Sequence, residues 1–440
     1  MNELEQACRG FSNPFEPFDD GFLDAVVVTH AKEITRRFLE RYAESVSRWS
    51  DGIVPALERW LGSEATFEDA WDVAFGRLQR ALFGGGSDDA VLLAAASTAL
   101  RIAERGAATN WEARFHCAPR MRLGSFLLPA ASRLQISADG RRLCARVRRR
   151  RAWTWTVTQP VRNDASLEGA ERLAAVHAGS GNILILRDGS PGVEPEIEHV
   201  TADADPDSIV PALETALRLI GRYSRPYHRW LRRVVRQILP LCDGPGMTTS
   251  STADWRPGVL YCANRPNPAA LAEMLLHEGA HQYMYVLRRL GPLDDGSDSS
   301  LHYSPLSGQM RPLGTIVLAY HAAANITLFC RGCPSKSRLE PRRIENEFAD
   351  SVAVYERILR RSRSITPLGA ALWEPLYERL RSVAGPEISG GRRPGTTRRD
   401  APGSYRSTTS RRTTGRRTRR RPSHRPGPAE RTPSRALSVR

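Results

Sequence analysis

The stretch from Leu271 to Leu287, Leu-Ala-Glu-Met-Leu-Leu-His277-Glu278-Gly279-Ala280-His281-Gln-Tyr-Met-Tyr-Val-Leu, constrains this chain more than any other. Asn267 before it is a good N-cap, Pro268 suits the first helical position, and Gly291-Pro292 ends the run. The spacing therefore predicts a helix over 268–290. His277 and His281, four residues apart, then lie about 5–6 Å apart at Cβ on one face. Two imidazoles so placed can share a metal ion, and Glu278, about 100° round the helix, can serve a bound water or substrate without being a ligand. The bland alternative is a chance match on an ordinary buried helix. A third ligand must in any case come from elsewhere.

The remainder reads as α+β and mainly α-helical, with a zincin-like metal helix in a C-terminal helical domain and a small antiparallel sheet near the middle. Residues 1–118 form an N-terminal helical region, with apolar residues at three- and four-residue spacing over Phe22–Tyr42, Ile53–Leu61, Phe67–Leu82 and Ala90–Arg105. Residues 119–206 are β-rich, with strands expected at Phe126–Leu128, Leu143–Val147, Trp153–Thr158 and Asn182–Leu186, then an acidic linker over Glu194–Pro206. Residues 207–387 hold the motif. Asp207–Leu241 is expected as two helices, one with the stripe Leu231, Val234, Val235 and Ile238, followed by a short strand at Gly258–Cys262. In zincin-type sites a strand edge beside the metal helix pairs with an extended peptide, an analogy of architecture only. After the loop Gly291–Ser300 come a long apolar helix opened by Arg311-Pro312-Leu313-Gly314, and helices at Pro341–Arg360 and Thr366–Val383.

Charge has to be located before it is interpreted. The net +16 resembles a nucleic-acid signature, yet residues 388–440 carry sixteen Arg against Asp400 and Glu430. Residues 1–387 are near neutral, so the folded part requires no nucleic acid. The tail has almost no aliphatic residues and is expected to be disordered. Seven scattered cysteines fit reduced thiols in a cytoplasmic protein, and Cys330-Arg-Gly-Cys333 reads as a helix end with Gly332 and Pro334 as breakers. The acidic N-terminus lacks a signal-peptide pattern. The apolar run Pro312–Cys330 carries His321 and Asn325 and reads as a buried helix, so no membrane partner is expected.

Three blocks carry a resemblance. They are Asn267-Pro268 through Glu273 to His277-Glu278-x-x-His281-Gln282; His302-Tyr303-Ser304-Pro305 with Arg311-Pro312-Leu313-Gly314; and the helix with Ala319-Tyr320-His321-Ala322. A weaker fourth is Ile365-Thr366-Pro367-Leu368-Gly369. Over about residues 207–383 the chain resembles the HExxH-motif proteins of peptide natural-product clusters. That resemblance implies an iron(II)- and 2-oxoglutarate-dependent hydroxylase acting on a peptide side chain. It departs at Gly279, where members often place a bulky aromatic residue.

Two chemistries share His277 and His281. An oxygenase needs a facial set of protein ligands with open positions for the oxo-acid and oxygen. A zinc peptidase needs three ligands, an open site and Glu278 as general base. Candidates for the third ligand are His321, His302, Glu347 and Asp294. The resemblance implies His321, whereas a peptidase of the glutamate-zincin kind would use Glu347. Arg311 is the candidate cation for the distal carboxylate of the oxo-acid, and Tyr303 a candidate substrate contact. A catalytically silent peptide-binding protein that keeps the helix for folding is the third possibility.

Overall fold

Several helices start where a side chain answers an unpaired N–H group. Asp19 Oδ1 accepts from Phe22 N at 3.0 Å, Asp72 Oδ1 from Ala74 N at 3.0 Å, and Asn267 Oδ1 from Ala269 N at 2.9 Å. In the computed structural model these caps open the helices Asp20–Trp49, Val73–Gly84 and Pro268–Arg288. The structure describes residues 3–147, 151–156, 170–178, 181–188, 190, 202–243, 249–334 and 339–383. The Arg-rich tail, most of the expected acidic linker and the side chains of the Trp153 strand lie outside the described residues.

The N-terminal part holds α1 Glu3–Ser12, α2 Asp20–Trp49, β1 Ser50–Asp51, α3 Ile53–Leu61, α4 Phe67–Ala70, α5 Val73–Gly84 and α6 Asp88–Glu104. Strands follow: β2 Thr109–Arg114, β3 Arg122–Leu123, β4 Phe126–Leu127, β5 Arg133–Ala138, β6 Arg142–Val147, β7 Arg151–Thr156, β8 Glu171–Arg172, β9 Ala175–Ala178 and β10 Gly181–Ile185. A short 3-10 turn leads into α7 Val210–Tyr223, α8 Arg225–Val234, β11 Gln237–Leu241, β12 Ser250–Ser251, β13 Val259–Ala263 and α9 Pro268–Arg288. The chain closes with β14 His302–Ser304, β15 Gln309–Arg311, α10 Leu313–Arg331, α11 Pro341–Leu359 and α12 Pro367–Val383. The fold is α+β and mainly helical.

An all-antiparallel sheet orders as β1-β2-β5-β6-β7, which answers the small middle sheet expected from the sequence. A second sheet, ordered β12-β13-β11-β10-β9, was not expected. Its inner strands β13, β11 and β10 run parallel, and its two outer strands run antiparallel to them. It crosses the boundary drawn at residue 206. The helix expected through Leu241 is corrected here, because α8 stops at Val234 and Gln237–Leu241 is a strand buried at all five positions. A short apolar run reads the same way whether it is a buried strand or part of a helix.

The α9 helix sits in the middle of this arrangement. On one side Trp230 of α8 stacks on Tyr283 with centroids 4.2 Å apart, and Tyr283 donates its hydroxyl to Trp230 O at 2.7 Å. Such a ring pair contributes about 0.5–1.5 kcal/mol beyond its area burial. Helix α10 also packs against α9; it is apolar and long enough to cross a membrane by composition, but mostly buried here. Cys330 and Cys333 fall at the end of α10, with Gly332 as its cap residue.

Candidate functional site

The motif helix forms as expected, and its two histidines share a face. The rings of His277 and His281 lie 4.6 Å apart at their centroids, nearly perpendicular. Glu273, His277, His281 and Tyr285 make a stripe that is only partly buried along a helix otherwise almost wholly buried from Leu271 to Leu287. Glu278 points off the stripe and is 3% exposed. Ser250 Oγ donates to Glu278 Oε1 at 2.6 Å, and Ser250 belongs to β12, the outermost strand of the second sheet. The expected strand near Gly258–Cys262 is observed as β13, but the sheet edge beside the motif helix is β12.

Local packing explains residues that flank the motif. A Cβ on Gly279 would lie 2.3 Å from Leu231 Cδ2, so α8 approaches α9 closely here and a larger residue would force Leu231 to shift. Gln282, fully buried, clamps the loop before β13: it accepts from Gly258 N at 3.0 Å and donates to Arg256 O at 3.2 Å and to Thr252 Oγ1. The Ile365-Thr366-Pro367-Leu368-Gly369 block docks on the loop after α9, with Thr366 Oγ1 donating to Pro292 O at 2.7 Å.

Burial sets the electrostatics. It pushes the Glu278 carboxyl up, opposed by His277, the Ser250 hydrogen bond and Arg256. Burial also drives His281 well below the usual histidine range, and the neighbouring rings of His277 and His321 add to this. His281 Nδ1 is buried without a hydrogen-bond partner. Tyr285 is pushed up to about 12 by burial, then by Glu278 and Asp254.

His321 stands beside His281, and the remaining expected site residues fall elsewhere. His321 of α10 is fully buried, and its Nε2 lies 2.8 Å from Ser12 O and 3.1 Å from Phe11 O. The backbone of Ala280 also raises its proton affinity, but burial dominates and lowers it to about 4. His302 Nε2 meets Asp298 Oδ2 at 2.9 Å. Glu347 accepts from Arg343 at 3.3 Å and adds to the upward push on Glu273. Asp294 accepts from Gly296 N at 3.2 Å. Arg311 is the cross-strand partner of His302 in the β14–β15 hairpin, and Tyr303 is 53% exposed opposite Met310. Among the described residues, no group of three or more His, Cys, Asp or Glu is arranged to hold a metal ion. Of the expected set, His321 lies near enough to His281 to lower its proton affinity, without forming such a group with it and His277. Two imidazoles share one face of α9, and the buried Nδ1 atoms of His281 and of His321 both lack a hydrogen-bond partner.

Arg256 was missed from the sequence. It is 1% exposed, its guanidinium lies 3.8 Å from the centre of the Tyr261 ring, and Nη2 donates to Ser251 Oγ at 3.0 Å. Its Nε and Nη1 are buried without partners. In so Arg-rich a chain nothing local distinguishes it. The two serines of β12 thus bridge a buried carboxylate and a buried guanidinium.

Neither the known protein families nor the curated proteins contain a match to this chain.

Proposed function

We propose that residues 1–387 form a metal-dependent enzyme acting on a peptide, with iron(II)- and 2-oxoglutarate-dependent hydroxylation of a side chain as the reaction. One observation carries the reading: His277, His281 and the buried Glu278 lie on one helix beside β12, the outermost strand of the second sheet. His277 and His281 would hold the ion through ring nitrogens. When bound, a ferrous ion would let dioxygen act as the oxidant, with the oxo-acid supplying two electrons as it is converted to succinate and carbon dioxide, chemistry that no side chain provides. The protein's own part is to bind and orient. An extended peptide pairs with the backbone of β12, as peptides add to exposed sheet edges. Glu278 stays fixed by Ser250, which orients the wall of the site without entering the ligand set. Arg311 remains the candidate cation for the oxo-acid, and Tyr303 a candidate substrate contact from the same hairpin.

The zinc peptidase is the second reading. The buried carboxylate of Glu278, with its raised proton affinity, favours it, because a general base works best near the ambient pH. Succinate formation from 2-oxoglutarate, dependent on iron and peptide, tests the first reading. Glu278→Gln is expected to retain that turnover. Loss of all activity in Glu278→Gln, with peptide cleavage in the parent chain, overturns it in favour of the peptidase.

A further inference from the structure

Helix α8 has two faces. Tyr227, Trp230, Leu231 and Val234 are buried, with Trp230 stacked on Tyr283 and Leu231 against Gly279. Arg229, Arg232 and Arg233, three and four residues apart, share the other side, and Arg236 follows two residues past the helix. These four arginines form one wall of a cleft of about 740 Å³, a volume typical of small-molecule sites. The remaining walls come from the start of α2, from Thr66–Glu68 and from the start of β10.

Two of the arginines are matched across the cleft. Arg233 donates to Asp20 through Nε at 2.7 Å and Nη2 at 2.9 Å, and Arg236 Nη2 donates to Glu68 Oε1 at 2.5 Å. Asp20 and Glu68 are each more than half exposed, and pairs of that kind hold weakly and yield to a better anion. The exposed guanidinium of Arg229 makes no ion pair or hydrogen bond among the described residues. Asp24, which accepts the backbone N–H of Phe67, lines the cleft with Thr66 and Asn182, and Leu23 and Ile183 add apolar surface.

We propose that this cleft binds a small phosphate ester, its phosphoryl group on Arg229 and Arg232 and its hydroxyl groups on Asp24 and Asn182. Guanidinium forks meet phosphate oxygens in pairs, as a point charge cannot. The carboxylates limit the size of the ligand. A nucleic-acid strand, charged along its whole length, would bring phosphates against Asp20, Asp24 and Glu68; an ester charged at one end meets them with hydroxyl groups. The cleft shares no residue with the α9 histidine pair and does not depend on the metal reading.

Calorimetric titration of the full-length chain at low salt tests this. The probes are glucose 6-phosphate, adenosine 5′-monophosphate and inorganic phosphate, with glucose and adenosine as phosphate-free controls and a single-stranded decanucleotide as the polyanion. At least one ester is expected to fill one site with Kd below about 1 mM, tighter than inorganic phosphate, while the phosphate-free controls give no heat. Arg229→Ala, at an exposed position, should weaken the ester about tenfold, and adding Arg232→Ala should weaken it further, with circular dichroism unchanged. Asp24→Ala should weaken the ester but not inorganic phosphate. No ester binding below about 1 mM overturns the proposal. Equal binding by the parent and the double variant also overturns it, and places the anion on other arginines. A decanucleotide that binds more tightly than either ester, and is lost in the same variants, replaces the small ligand with a strand.

Discussion

At the scale of residues, the site depends on contacts with little tolerance. Gly279 is one case, because the end of the buried Leu231 side chain occupies the space a methyl group would need and would have to shift. Gly279→Ala is expected to cost about 1–3 kcal/mol, the ordinary range for overpacking, as a lower midpoint in chemical denaturation at unchanged slope. Ser250→Ala removes the one hydroxyl donating to buried Glu278 and is expected to cost about 1–3 kcal/mol by leaving an acceptor unsatisfied. His321 makes stability depend on pH. Its folded value of about 4 lies below the usual histidine range, so the unfolded chain binds its proton first. Its contribution is complete above about pH 6.5 and falls by about 1.4 kcal/mol per pH unit as pH drops toward 4. Thermal melts of the metal-free chain between pH 7 and 4 should show this slope, reduced in His321→Gln.

At the scale of elements, the blocks that carried the resemblance have work in the fold. The start of α10 fits against the loop after α9, since a Cβ on Gly314 would meet Asp294 Oδ2 at 2.5 Å. At the start of α12, a Cβ on Gly369 would meet Leu293 O at 2.1 Å. Backbone cannot move aside as a flexible side chain can, so Gly369→Ala should destabilise more than Gly314→Ala. Paired denaturation curves decide the order. Helix α9 was legible because its cap, period and stop are all local. The strand β11 was not, because five consecutive buried residues carry no period that separates a strand from the end of α8.

At the scale of the whole molecule, one compact unit spans Met1–Glu387, and most of the excess positive charge lies beyond it. A chain ending at Glu387 is therefore expected to keep the melting temperature of the full chain, while its retention on a cation exchanger drops sharply. Equal retention of the two chains would show that residues 388–440 do not govern binding to the exchanger.

Sequence alone determined that a capped amphipathic helix would present His277 and His281 together, because four-residue spacing on a helix is a local geometric fact. It also separated a near-neutral body from a basic tail. Only the tertiary structure decided what stands around that pair. Ser250, Arg256 and the carbonyls of Phe11 and Ser12 come from segments far apart in the chain. Whether a buried histidine turns its ring nitrogen toward a metal or toward a backbone carbonyl depends on which distant strand or helix end packs against it, and no local pattern records that.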